Sequence, residues 1–355
     1  MRWSLALGTL ASFARNEVAA ADSFYSPDER SLQPAPPNTV ANLLVQGSQF
    51  TRLVYNRVPK TGSTTMKELF ERLAKRNGFA VRNDEEFLPD IRRLRGKIRA
   101  LPQRTLYINH CQFWPDAPTD VGWINMVREP IDLAASSYYY SVDAAARHSE
   151  KAALEALEER RNAKECGCYK LEFDQCVRER ALHNCTSFAD RDGIMVHETD
   201  FFCEHLHGEA HCRLGSQRDE TTALFEKDTQ LGVAARNVRD RFFFVGLTEE
   251  FVRSVNVLEA LLPDWFDGAS EELGKMERLK ELTQHNSLTG TNMTGCVSDE
   301  AKDLLKRHEA TCPTELEFYD GVKQLFWQRF ASVGHLLKDK QHVKPHEFRL
   351  PYPMD

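Results

Sequence analysis

The chain has 355 residues, 41% hydrophobic and 28% charged, a balance that excludes a disordered polypeptide and supports a substantial core in one large α/β domain or two modest ones. Its formal net charge of -7 excludes a general nucleic-acid binder, which would spread lysine and arginine over a whole face, so an anionic partner has to be met locally.

In chain order, residues 1–21 read as a weak signal sequence or a truncated anchor. Arg2 precedes a moderately apolar run that falls short of the roughly 20 residues needed to span a bilayer. Residues 22–42 are polar and proline-rich and predict an extended stem; the folded domain is expected over 43–340, with a tail at 341–355. FTRLVYNRV, ending at Val58, has the β-branched and aromatic content of a strand. MKELFERLAKR then sets Met66, Leu69, Phe70 and Leu73 on one helical stripe. RRLRGKIR, from Arg92 to Arg99, is either a local anion site or a solvated helix face. TLYIN (Thr105 to Asn109), GWINMV (Gly122 to Val127) and RFFFVGL (Arg241 to Leu247) predict buried strands. The segment after the last of these predicts a helix capped by Thr248, and a further helix is expected from Glu315 to Phe330. Strands alternating with helices define an α/β class with a central parallel sheet flanked by helices. Ligands of such sheets sit beyond the carboxyl ends of the strands.

The stretch YNRVPKTGSTT, Tyr55 to Thr65, therefore joins a strand to a helix. The first N–H groups of that helix have no intrahelical acceptor, its dipole favours an anion, and Lys60, Thr61, Gly62, Ser63, Thr64 and Thr65 add a cation, a flexible backbone and hydroxyls. This is the composition of a phosphate-type cradle, against the alternative of an ordinary capped helix with a surface lysine. A Walker A loop places its lysine after the glycines, whereas Lys60 precedes Gly62. No downstream acid is evidently placed for magnesium, so the expectation is a metal-independent group donor rather than ATP. His110 closes a strand at the ligand-binding edge and is either a base or a hydrogen-bonded strand-end histidine. Arg128, in VREP, suits either a phosphate or an ion pair with Glu129.

Nine cysteines, most of them after residue 160 in polar surroundings, suit a disulfide-bearing luminal protein. Zinc is the competing reading for the mixed Cys and His stretch CEHLHGEAHC, although no pair has CxxC spacing. Triplets at Asn184 and Asn292 have the form of glycosylation acceptors and agree with a secretory route.

YNRVPKTGSTT together with YINHCQF, INMVREPIDLAASSYYY, FDQCV, FFCEHLHGEAHC and FFFVGLTEEF, in that order, resembles the uronyl/heparan sulfate 2-O-sulfotransferase family over most of the folded part. The resemblance implies a P-loop-like sulfotransferase fold. The donor would be 3′-phosphoadenosine 5′-phosphosulfate, with no metal, and the acceptor a hexuronic acid 2-hydroxyl in heparan or dermatan/chondroitin sulfate. It assigns Lys60 and Thr61 to Thr65 to the 5′-phosphosulfate, Lys60 also to leaving-group charge, Arg128 and Ser136 to the 3′-phosphate, His110 to the base and Arg57 to the glycan. It also implies disulfides Cys203 with Cys212 and Cys176 with Cys185, a Golgi-lumen location with or without an anchor, and a possible homotrimer. Some members carry a second histidine where this chain has Ile108, and 141–172, where family glycan-gripping arginines lie, matches poorly. The alternatives are an inactive glycan-binding protein of the same fold and, less favoured, an ATP-dependent kinase.

Overall fold

The computed structural model describes residues 37–84, 91–138, 172–183, 198–202, 205–206, 209–210, 231–284, 297–308 and 312–337. Helix α1 (Pro37–Gln49) leads into β1 (Arg52–Asn56), α2 (Ser63–Asn77), β2 (Ala80–Asn83), α3 (Ile91–Arg99), β3 (Thr105–Asn109) and β4 (Val121–Val127). Then come α4 (130–138), α5 (Phe173–Leu182), the short α6 (Thr199–Phe202) and a two-stranded antiparallel pair, β5 (His205–Leu206) and β6 (Glu209–Ala210). The rest is α7 (231–240), β7 (Phe244–Leu247), α8 (Phe251–Leu261), α9 (Pro263–Phe266), α10 (Ala269–Gln284), α11 (Asp299–His308) and α12 (Cys312–Leu337).

Five strands form one sheet in the order β2-β3-β1-β4-β7, every pair parallel, so β1 is central and its carboxyl end is flanked by those of β3 and β4. β1, β3, β4 and β7 are buried almost throughout, as parallel strands covered on both faces must be. Successive side chains of β1 point to opposite faces. On one face Tyr55 meets Phe70 of α2 edge-on at 5.3 Å, and Phe70 meets Phe266 of α9 at 5.6 Å. Val54 points the other way and is in register with Trp123, which packs on Phe113 and Phe242; these lead through Phe202 to Phe318 of α12. A smaller cluster joins Ile131 and Ala134 of α4 to Phe173 and Val177 of α5 and to Ala301 and Leu305 of α11.

The four core strands expected from the sequence all form, and the helical stripe of Met66, Leu69, Phe70 and Leu73 is the buried face of α2. Three details differ. α1 begins at Pro37, inside the stretch expected to be an extended stem, and Val40 is already packed in the core. β2 escapes a hydrophobic scan because it is a half-exposed edge strand with alternating burial. Thr248 does not cap α8: its N-cap is Glu250, and the Thr248 hydroxyl is used elsewhere. The cationic stretch at 92–99 is α3, anchored by buried Leu94 and Ile98, with Arg95 and Arg99 stacked over Trp114.

The two ends of the sheet are finished differently. At the amino end, Arg52 grips Asp120 through a two-pronged contact (Nε to Oδ2 3.0 Å, Nη2 to Oδ1 2.6 Å), and the Thr51 hydroxyl also donates to Asp120. Burial alone would raise the Asp120 carboxyl, but these hydrogen bonds outweigh it and hold the group below the usual carboxylate range. At the carboxyl end, Asn125 donates to the Asn56 side chain at 2.8 Å, Asn56 donates to the Phe201 carbonyl at 2.8 Å, and Asn109 donates to the Asp84 carbonyl at 3.0 Å.

β7 approaches α8 closely at Gly246, where a Cβ would lie 2.5 Å from Met126 Sδ and 2.8 Å from Ser254 Cβ. Ser254 is itself fixed by hydrogen bonds from Leu247 N–H at 2.9 Å and to the Leu247 carbonyl at 3.1 Å. Gly246→Ala should therefore destabilise the fold by about 1–3 kcal/mol through overpacking, read as a lower midpoint in thermal or urea denaturation; an unchanged midpoint would mean that α8 shifts freely.

Candidate active site

The loop 57–62 leaves β1 and enters α2 through two left-handed residues, Lys60 (φ 64°) and Gly62 (φ 72°). Gly62 suits that conformation and its site: a Cβ there would lie 3.0 Å from the Phe251 ring. Lys60, as a non-glycine residue, adopts it at a cost of roughly 1–3 kcal/mol that the surroundings must offset. Gly62 is also the N-cap of α2 and supplies no side-chain acceptor, so the helix opens without the hydroxyl or carboxamide cap usual at such a position.

Three neighbouring strands hold this loop, each by a side chain at or just beyond its carboxyl end. From β3, His110 Nδ1–H donates to the Arg57 carbonyl at 2.8 Å, and from β4, Arg128 Nη1 donates to the Lys60 carbonyl at 3.2 Å. From β7, the Thr248 hydroxyl lies 3.0 Å from the Thr61 carbonyl and 2.9 Å from the Val127 carbonyl. Residues distant in sequence, Lys60, His110 and Arg128, are thus brought to one short segment.

Within the loop the hydroxyls divide. Thr61, fully buried, donates to the Val58 carbonyl at 3.0 Å. Ser63 Oγ and Thr64 Oγ1 accept from Arg57 Nε at 2.8 Å and Nη2 at 3.0 Å; Ser63 and Thr65 are buried and Thr64 is exposed. Arg57 is therefore integrated into the cradle, and its N–H donates to the Asn109 carbonyl at 2.8 Å. Lys60 is 7% exposed.

The contact to the Arg57 carbonyl requires Nδ1 of His110 to carry the proton, which leaves Nε2 with a lone pair. Burial, helped by the Arg57 charge and opposed by the hydrogen bond to the Arg57 backbone, lowers the His110 pKa from 6.5 to about 4. The ring is neutral at pH 7, the form able to accept a proton. Ile108, two residues earlier, is fully buried in β3.

Arg128 stands on a turn held by carboxyls: its N–H donates to Glu198 Oε1 at 2.8 Å, and the Glu129 N–H donates to Glu249 Oε1 at 2.8 Å. Ser136 lies on α4, buried, with no hydrogen-bond partner for Oγ among the described residues. Sequence reading singled out neither Glu198 nor the asparagines Asn56, Asn109 and Asn125. A polar residue ending β1 and β3, and one inside the apolar run of β4, was the available signal for the asparagines, and Glu198 carried none.

Cys176 is disulfide-bonded and Cys111 is a buried thiol, raised by burial. Cys185, Cys203 and Cys212, Asn184 and Asn292, residues 1–36, 141–171 and 338–355 lie outside the described residues. No described helix is long and apolar enough to cross a membrane, and no metal-type cluster of His, Cys, Asp and Glu occurs among the described residues.

A five-stranded parallel sheet with a strand-loop-helix cradle at the carboxyl end of its central strand defines the broad P-loop-like class. Within that class the chain belongs to the sulfotransferase family, whose sequence profile matches residues 43–220. It is 29% identical over 307 residues to the "Uronyl 2-sulfotransferase homolog pip" of Drosophila melanogaster, covering 79% of this chain and 53% of that protein. It is 27% identical over 287 residues to the "Heparan sulfate 2-O-sulfotransferase hst-2" of Caenorhabditis elegans (77% and 78%). It is also 27% identical over 249 residues to the "Heparan sulfate 2-O-sulfotransferase 1" of Homo sapiens (65% and 61%). The chain thus spans about half the length of the Drosophila relative. The resemblance to the 2-O-sulfotransferase group, the parallel α/β fold and the flanking helices stand as expected from the sequence.

Replacing Arg57 by Ala should raise the His110 pKa from about 4 toward the ordinary histidine value, because a positive charge beside the ring is removed. Imidazole proton shifts followed by NMR across pH 3–8 measure this, and a titration that does not move shows that burial alone sets it.

Proposed function

We propose that the protein transfers a sulfuryl group from 3′-phosphoadenosine 5′-phosphosulfate to the 2-hydroxyl of a hexuronic acid in a glycosaminoglycan of the heparan or dermatan/chondroitin type. The observation that carries this reading is the attachment of His110 and Arg128 to carbonyls of the same six-residue loop that bears Lys60. A donor held by that loop would have a base on one side and a guanidinium on the other.

In this reading the opening turn of α2, with Ser63, Thr64 and Thr65, cradles the 5′-phosphosulfate. Arg128 and Ser136 meet the 3′-phosphate, the group that distinguishes this donor from ATP. The buried Ser136 Oγ, with no hydrogen-bond partner among the described residues, supports that role, since a phosphate oxygen would satisfy it. His110 Nε2 takes the proton from the sugar hydroxyl as its oxygen attacks sulfur. The bond from sulfur to the 5′-phosphate oxygen breaks in line, and Lys60 with the α2 N-terminus stabilises the charge left on that oxygen. Arg57 offers a cation to an acceptor carboxylate or sulfate. The same reading places the protein in the secretory pathway at the Golgi lumen, as an enzyme whose partner is the sulfated glycan; a homotrimer is a weaker part of it.

Transfer of labelled sulfate to desulfated heparan, dermatan and chondroitin, followed by disaccharide analysis, tests activity, acceptor and ring position together. His110→Ala should lower turnover by about 10²–10⁴-fold while donor affinity is kept. Lys60→Ala should weaken donor binding and lower turnover by about 10²–10³-fold, as loss of one charge-stabilising donor does. Near-normal turnover in the His110 variant removes the base assignment. Thermal stabilisation by ATP with magnesium but not by adenosine 3′,5′-bisphosphate removes the donor assignment.

A further inference from the structure

Glu198 has no role in the chemistry above, yet its carboxyl is fully buried behind the turn that carries Arg128. Oε1 accepts the Arg128 backbone N–H at 2.8 Å, and Oε2 is buried with no hydrogen-bond partner among the described residues. Three further carboxyls face it from separate segments. Glu129 follows Arg128 in the turn between β4 and α4. Glu249, on the turn after β7, accepts from Glu129 N–H and from the Tyr319 hydroxyl, each at 2.8 Å. Glu315 of α12 accepts from the Thr199 N–H at 3.2 Å and from its hydroxyl at 2.6 Å. The Arg128 charge acts on Glu249, lowering it against the larger effect of burial.

Four ionised carboxylates around one guanidinium would make a strongly negative pocket where the proposed donor brings a phosphate dianion. Burial, with the charges of Glu315, Glu249 and Glu129, pushes Glu198 well above the ordinary carboxylate range, against the opposing hydrogen bond from Arg128. Burial also raises Glu129 and Glu249. A carboxylic acid still accepts through its carbonyl oxygen, so Glu198 can be neutral and hold the Arg128 backbone at once.

We propose that Glu198 is a positioning residue for the donor's 3′-phosphate: as a neutral acid it fixes the Arg128 turn, and its ionisation weakens phosphate binding. This rests on the reading that Arg128 meets that phosphate. The sign follows from charge. Raising the pH removes the Glu198 proton and adds a negative charge behind the guanidinium, so affinity falls; bringing in the phosphate draws a proton back.

Calorimetric binding of adenosine 3′,5′-bisphosphate to the full chain, from about pH 5.5 to 8.5, tests this with wild type, Glu198→Gln and Glu198→Ala. Glutamine keeps the acceptor for the Arg128 N–H and mimics the neutral acid. Wild type and Glu198→Gln should agree within about twofold at the acidic end, with wild type weaker by at least about fivefold at the alkaline end. Glu198→Ala should be weaker than Glu198→Gln throughout, because the N–H loses its partner. Second ionisation of the phosphate near pH 6 acts on every variant alike and cancels in the ratio. Binding by wild type at the alkaline end should also take up protons, measurable in buffers of different ionisation enthalpy whether or not the variants fold. A wild-type to Glu198→Gln ratio that does not change with pH, or binding without proton uptake, overturns the ionisation step, and Glu198→Ala binding as tightly as Glu198→Gln overturns the positioning role; either leaves the donor reading intact. No binding of the bisphosphate by wild type at any pH overturns both.

Discussion

The candidate site depends on how a six-residue loop disposes of its carbonyl groups. A backbone segment in a buried turn has to pair its C=O groups with something. Here the Arg57, Lys60 and Thr61 carbonyls are taken by side chains of His110, Arg128 and Thr248, at the ends of β3, β4 and β7. Each contact does two things: it fixes the loop, and it fixes the side chain that makes it. His110 is oriented with the proton on Nδ1 and the lone pair on Nε2, and Arg128 is tethered by one guanidinium nitrogen. The parallel order β2-β3-β1-β4-β7 is what allows this, because it places the carboxyl ends of β3 and β4 on either side of β1, with β7 next to β4.

Arg57 couples the halves of the site electrostatically. Its guanidinium bridges Ser63 and Thr64 at the start of α2, and its charge adds to burial in depressing His110 at the end of β3. On the proposed reading, an acceptor anion that paired with Arg57 would compete for the guanidinium that now holds those hydroxyls. It would also cancel part of the field at the imidazole, making His110 a stronger base when a substrate is present. On that reading the imidazole, held at about 4 in the empty site, would stay unprotonated at mildly acidic pH and gain basicity as the acceptor binds.

Much of this was legible in the sequence because hydrophobic runs and local motifs report short-range physics. The strands at Thr105 to Asn109 and Gly122 to Val127 are continuous apolar runs, and α2 shows its stripe. The cradle was legible because lysine, glycine and hydroxyls crowd between a strand and a helix. β2 was not, since an edge strand with an exposed face has no run to detect. Thr248 was read as a helix cap because Thr before two acids has that local form; its actual partners lie at Thr61 and Val127, contacts that exist only once β7 is docked beside β4. Glu198 was invisible for the same reason: a glutamate in HETDFF gives no sign that a fold will bury it against the backbone of Arg128.

Both ends of the sheet carry strained or unmet groups. At the amino end the Asp120 carboxylate is met by the Arg52 guanidinium and the Thr51 hydroxyl, while Arg104, just before β3, is left-handed and Thr105 Oγ1 is buried without a hydrogen-bond partner among the described residues. At the carboxyl end Lys60 is in a left-handed conformation, Ser136 Oγ and Glu198 Oε2 are buried without hydrogen-bond partners among the described residues, and several carboxyls cluster near one arginine. Each such feature costs on the order of 1–3 kcal/mol, which is large beside the marginal stability of a folded domain. The apolar sheet and its aromatic layers, from Tyr55 through Phe70 to Phe266 and from Trp123 through Phe242 and Phe202 to Phe318, offset that cost. On the proposed reading, a phosphate oxygen that satisfied Ser136 Oγ would relieve part of it on binding, so that unmet hydrogen bond would contribute to the affinity for the donor.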